Sequence, residues 1–160
     1  MRMLVVAVAF VLAAPAAAAP PRAGALVPGT SLGNVRLGAT TAEVRRLWGN
    51  RYGVCRACAD PTWYFNYARF RPQGAGVSFR AGRVAAVFTL WRPRGWRAPG
   101  VRLGDPPSRV TTRYRSATTT TCDGYYVFTI GSGAARTDFY VYDEKVWGFG
   151  LRRPSVPPCR

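Results

Sequence analysis

The chain has 160 residues, with 23 Lys and Arg against 7 Asp and Glu, a formal net charge of +16, and no histidine. The missing imidazole excludes Ser-His-Asp and Cys-His catalysis, His-ligated zinc and the usual near-neutral general base. Nearly all the positive charge is Arg, and Glu43 and Asp60 are the only acids between residues 20 and 95.

In chain order, Arg2, the apolar stretch Leu4 to Leu12 and the small residues Ala16 to Ala19 predict a secretory signal peptide over residues 1–19. The run is too short for a membrane span. No Cys follows it for lipid attachment, so a secreted or extracytoplasmic chain is expected. Residues 20–32 are rich in Pro and Gly and read as a flexible leader. Val35-Arg36-Leu37-Gly38 then opens a first repeat, residues 33–91, and returns as Val101-Arg102-Leu103-Gly104 in a second, residues 100–160 with the C-terminal tail. Such self-similarity is the mark of one supersecondary unit used twice. Residues 92–99 form the connector.

In the first copy Thr40 and Glu43 make a capping box. Val44, Leu47 and Trp48 share one helical face, and Gly49 ends the helix. In the second copy Asp105 is the candidate cap, Pro106 the first helical residue, and Val110 with Tyr114 the apolar stripe. Strands follow each helix. Trp63 to Ala68 is one. Val77 to Arg80 and Arg83 to Trp91 form a hairpin about Ala81-Gly82, placing Val77, Phe79, Val84, Ala86, Phe88 and Leu90 on one face. Tyr125 to Ile130 is another strand. Thr137 to Tyr142 and Lys145 to Leu151 flank Asp143-Glu144, with Phe139, Val141, Val146 and Gly148 on the matching face. Helix then strands, repeated, predicts an α+β fold: two tandem helix-plus-antiparallel-sheet repeats, helices packed on one face of the sheet.

Four cysteines in an exported chain suggest two disulfides, and three pairings exist. The preferred one is Cys55–Cys58, a local clip, with Cys122–Cys159 tying the tail to the start of a strand. The long loop gives the larger entropic gain, on the order of 3–4 kcal/mol. Cys55-Arg56-Ala57-Cys58 is also a C-x-x-C motif, but it does not sit at the strand-to-helix turn a redox site needs. Four-Cys zinc is disfavoured because the second pair is far apart in sequence. Asp123 and Asp138 are the only spare acids for a carboxylate pair. No catalytic residue, metal site or cofactor is expected.

The pattern Val-x-Leu-Gly-x-Thr-x-x-Glu-Val, then Trp-Tyr, then Phe…Gly-Arg-Val, resembles the small helix-plus-sheet module of the SmpA/OmlA outer-membrane lipoproteins. Used twice, it resembles the tandem fold of β-lactamase inhibitory protein, and it is similar to a pattern in exported actinobacterial proteins of unknown function. The resemblance implies a sheet whose free face binds another protein. The lipid-attachment Cys of the lipoproteins is missing, and the inhibitor's contact residues have no position-by-position match, so β-lactamase inhibition does not carry over.

Opposite the face holding Phe79 and Val141, the alternation predicts Arg80, Arg83, Thr89 and Trp91 from the first copy and Tyr140, Tyr142, Trp147 and Phe149 from the second. Trp, Tyr and Arg dominate binding hot spots. The expectation is therefore a non-enzymatic binding module, with protein inhibition as one form, using Arg80, Arg83, Trp91, Tyr140, Tyr142, Trp147 and Phe149 to hold another extracytoplasmic protein. The alternative is a cationic binder of anionic envelope polymer or membrane surface. Nucleic acid is not expected, since no basic run is dense enough, and the chain is expected to be a monomer.

Overall fold

The computed structural model describes residues 23–65, 74–90, 95–131 and 133–159. The expected signal peptide, the residues after Phe65 in the first predicted strand, and Trp91 lie outside the described residues.

Two hairpins organise the chain. Strands β6 (Gly74–Arg80) and β7 (Arg83–Leu90) turn at Ala81-Gly82, with φ of 47° and 70°. Strands β11 (Arg136–Tyr142) and β12 (Lys145–Arg152) turn at Asp143-Glu144, with φ of 48° and 51°. Two residues of positive φ give the turn whose twist matches that of the flanking strands. Strands β4 (Tyr52–Cys55) and β5 (Thr62–Phe65) precede the first hairpin; β9 (Thr118–Thr121) and β10 (Tyr126–Ile130) precede the second. All eight make one antiparallel sheet in the order β4-β5-β6-β7-β12-β11-β10-β9. Each half is a four-stranded meander, and the last strands of the halves meet at the centre.

A second, four-stranded sheet has the order β3 (Val35–Arg36), β2 (Ser31–Leu32), β1 (Gly24–Val27), β8 (Trp96–Arg97), with β1 and β8 parallel. Among the described residues there are two helices, α1 (Thr41–Trp48) and α2 (Pro107–Arg113), of eight and seven residues. The described residues are thus mostly β, 48% of them in strand. This overturns the α+β expectation of helices covering a sheet in two repeats. Helices of two turns cannot cover eight strands, and the small sheet supplies much of the cover. Leu26 and Leu32, in the segment expected to be a flexible leader, are buried in the core beside Val44, Trp48 and Trp96. Short strands such as β1, β2 and the all-Thr β9 carry too little alternation to stand out in sequence.

The large sheet gives Phe65, Val77, Phe79, Val84, Val87, Phe139, Val141, Val146, Phe149 and Leu151 to this main core. Val84 and Val87 share a face because β7 carries an extra residue: Phe79 pairs with Val84, but Ser78 pairs with Ala86. A bulge inserts one residue and reverses the alternation beyond it. Ala86, Phe88 and Leu90 therefore move to the opposite face from Val77 and Phe79, against expectation. Strand β12 bulges at the same distance from its turn: Val141 pairs with Val146, but Tyr140 pairs with Gly148. Gly148 is sent to the back and Phe149 into the main core.

The capping box of α1 is present. Thr40 Oγ1 accepts from the Glu43 amide at 3.2 Å, and the Glu43 carboxylate accepts from the Thr40 amide at 2.7 Å. Those bonds to Thr40 hold the Glu43 carboxyl below its ordinary pKa. In α2 the cap is Pro106 rather than Asp105, with no side-chain cap bond. Asp105 instead accepts from the Arg102 amide at 2.8 Å.

Both preferred disulfides are formed, Cys55–Cys58 and Cys122–Cys159. The first closes the turn leaving β4; the second ties the tail beside the start of β10. Cys122–Cys159, with its sequence separation of 37, closes a much longer loop than Cys55–Cys58. Paired Ser substitutions should cost about 4 kcal/mol at Cys122–Cys159 and under about 2 kcal/mol at Cys55–Cys58, measured by denaturant unfolding.

The central join of β7 and β12 depends on glycine. A Cβ at Gly148 would collide with the Thr89 carbonyl oxygen, and one at Gly150 would lie 2.5 Å from the Val87 carbonyl oxygen and 2.8 Å from Phe88 Cβ. Gly150→Ala should therefore destabilise by about 3 kcal/mol or more in urea unfolding, while Gly53→Ala, with nothing within 4 Å of the new methyl, should unfold near the parent midpoint.

Candidate functional site

The back face of the large sheet, opposite the main core, is not the open aromatic-Arg surface the sequence predicted. Tyr140 is on it but is 1% exposed, packed with Phe88 and Val127. Phe149 is 0% exposed and lies in the main core, because the β12 bulge reverses its direction. Thr89, paired with Phe149 and Ala75, is buried as well. Arg80 donates to Asp60 at 2.7 Å and to the Ser155 carbonyl at 2.9 Å. Its bond to Asp60 raises its pKa further and makes it a structural strut. Arg83 is exposed at the hairpin turn, where it donates to the Gly38 carbonyl at 3.4 Å. Trp91 lies outside the described residues.

What stays together is smaller. Trp147 is the bulged residue of β12 and half-buried. Its ring centroid lies 6.0 Å from Tyr142 and 6.3 Å from Tyr125. Tyr142 is 54% exposed. Bulges re-aim side chains, and this one turns an indole toward the tip of the hairpin. Tyr142, Tyr125 and Trp147 thus form one aromatic patch, with Tyr142 exposed and the other two half-buried.

The rest of the back face is occupied by the C-terminal segment and a buried ion pair. Arg152 Nε donates to Asp138 Oδ2 at 2.7 Å, the two side chains being 7% and 0% exposed. Arg152 also donates to the Val156 carbonyl at 2.9 Å, and Thr129 Oγ1 donates to Asp138 Oδ1 at 2.8 Å. Val156 packs on Ala85 and Ala86. Asp138 thus anchors the tail and does not form a carboxylate pair with Asp123, which is exposed. Replacing Asp138 by Asn leaves Arg152 buried without a counter-charge. The expected loss is about 3–5 kcal/mol in thermal or urea unfolding, and a variant as stable as the parent would contradict this account of the tail.

The acids are largely spent inside the structure. Glu43 caps α1, Asp60 holds Arg80, Asp105 holds the Arg102 amide, and Asp138 holds Arg152. Among the described residues, Arg80 and Arg152 are the guanidiniums with a carboxylate within salt-bridge distance. Arg45 turns to aromatic partners: it lies 4.9 Å over the Trp63 ring and donates to the Tyr52 hydroxyl at 3.1 Å. Among the described residues, Arg97, Arg102 and Arg109 are exposed, with no carboxylate within salt-bridge distance.

These three line one cleft. Arg97, Arg102 and Arg109 surround a space of about 430 Å³, together with Ala98, Gly100, Val101 and Asp105. A tight turn shapes its floor, with Ala98 and Val101 exchanging backbone bonds of 3.3 and 3.2 Å. Arg102 is fixed by the reciprocal bonds of its amide and carbonyl to Asp105. Gly100, with φ of 73°, leaves room for Arg113: a Cβ there would sit 3.1 Å from Arg113 Cδ. Sequence reasoning missed this cleft because its members come from three elements. The available signal was Arg109, which stands where the first copy has Glu43.

The C-x-x-C pair is a disulfide at a strand-to-strand turn. Among the described residues no three His, Cys, Asp or Glu side chains gather to hold a metal, and no helix is long and apolar enough to cross a membrane. The two disulfides are those of a chain in an oxidising, extracytoplasmic compartment.

No family model matches the chain, and no curated protein matches its sequence. Among solved structures it is similar to an extracellular protein containing a SCP domain from Bacillus anthracis, with a TM-score of 0.51 at 10% identity over 74% of this chain and 44% of that one. The chain therefore spans less than half the length of that protein. A DUF4309 family protein from Bacillus subtilis gives a TM-score of 0.44 at 13% identity over 72% of this chain and 78% of that one. At these identities the likeness to the first is one of fold.

Proposed function

We propose that this is an exported, non-enzymatic binding module whose partner is anionic: envelope polymer or the charged surface of a membrane. The observation that carries the reading is the internal use of Glu43, Asp60, Asp105 and Asp138, which leaves Arg97, Arg102 and Arg109 without a carboxylate partner around an open cleft. A surface of unpaired guanidiniums attracts polyanions and binds them by releasing their counterions. The disulfides and the fold shared with an extracellular protein support the extracytoplasmic setting.

If three guanidinium–anion contacts dominate, affinity for immobilised polyphosphate should fall about 20- to 40-fold between about 50 and 200 mM salt. Fluorescence titration of the oxidised chain measures this directly; a flat salt profile would remove the anionic reading.

A second reading keeps a protein partner, and the 54% exposure of Tyr142 beside Trp147 favours it. Here Tyr142→Ala or Trp147→Ala should weaken the complex by about 1–2 kcal/mol with little response to salt, in line with aromatic hot spots. The same substitutions should leave polyanion binding unchanged.

A further inference from the structure

We infer that the Arg97–Arg102–Arg109 cleft is a discrete oxyanion site that takes a phosphate group. This rests on the anionic reading above and assigns it a place and a chemistry.

The cleft is lined by three arginines and one acid. That carboxylate, Asp105, has one oxygen committed to the Arg102 amide, so it holds the turn that carries Arg102. Arg is the side chain suited to this task, because its planar fork matches the oxygens of a phosphate in pairs.

The two helices supply an independent comparison. Both begin at the same point of the repeated sequence, and Glu43 and Arg109 are each the third residue of their helix. An acid there favours the helix, and Glu43 also closes a capping box; a cation there opposes the helix dipole. The second half has no acid in its first turn and no side-chain cap bond. Arg109 thus occupies a position that is electrostatically wrong for α2 alone and right for a ligand of negative charge in the adjoining cleft. The ligand contacts assigned are the guanidiniums, not the helix end. All three arginines are exposed, so the site is open to solvent and to the end or side of a polymer.

The test uses the full oxidised chain. Arginine side-chain NMR signals are followed on titration with inorganic phosphate, with thermal unfolding run alongside. Saturable shifts at Arg97, Arg102 and Arg109 are expected. Arg109→Glu should lower phosphate affinity by roughly tenfold or more, yet raise the melting temperature, since it restores an acid at the third position of α2. Arg56→Glu makes the same charge change in the Cys55–Cys58 turn and should alter phosphate affinity little. Linear polyphosphate and phosphatidylglycerol vesicles then separate the sources of the phosphate: whichever loses affinity on Arg109→Glu is using the cleft. If Arg109→Glu binds phosphate as the parent does, the site is overturned. If phosphate leaves the cleft signals unmoved while polyphosphate retention persists and falls with salt, the discrete site is wrong and the general anionic reading stands. Loss of both removes both.

Discussion

The architecture hangs on the close approach of β7 and β12. These strands end their respective meanders and form the only pairing between the halves of the large sheet among the described residues. Gly148 and Gly150 allow that approach, because a side chain at either would enter the space of the Val87–Thr89 backbone. The seam sets the sheet's two faces together: Phe149 and Leu151 enter the main core while Arg152 reaches across the back to Asp138. Phe88 uses the same economy on the first half, lying over Gly76, where a methyl group would collide with its ring.

From this seam the bulges acquire their meaning. Each hairpin carries one extra residue at the same distance from its turn, Ala85 in β7 and Trp147 in β12. Ala85 is small and lies under Val156, so its half of the back face is closed by the tail. Trp147 is large and half-exposed, so its half ends in an aromatic patch. Equal backbone devices thus give a sealed region on one side and an aromatic patch that reaches the surface on the other.

Much of the local structure was legible. The two-residue turns, the Thr40–Glu43 box, the Gly49 stop and the Cys55–Cys58 clip follow from short-range chemistry carried by neighbouring residues, while the Cys122–Cys159 bond follows from the even cysteine count of an exported chain. The helical faces were legible too, with Val44, Trp48 and Val110 buried as their spacing implies. The bulges were not, since an extra residue is visible only against a partner strand, and strict alternation put Phe149 and Phe88 on the wrong sides. The short strands β1, β2 and β9 escaped because pairing across space, rather than pattern along the chain, makes them strands. The site was less legible than the fold. Aromatics read as a free face were split between two cores by the bulges. The Arg cleft draws on a connector, a turn and a helix, and its one sequence signature is the contrast between Arg109 and Glu43.

The seam also bears on how the chain reaches its folded form. Within each half, every strand of the meander pairs with its sequence neighbour, so closure requires only modest loops. Joining β7 to β12 demands a meeting of segments separated by the whole second half, the kind of non-local contact that slows folding. The natural order is two quick local zippings followed by one slow docking. Until that docking occurs, β7 and β12 each present a bare edge able to pair with the same edge of another molecule. The feature that unites the halves is therefore also the point at which two chains could exchange them.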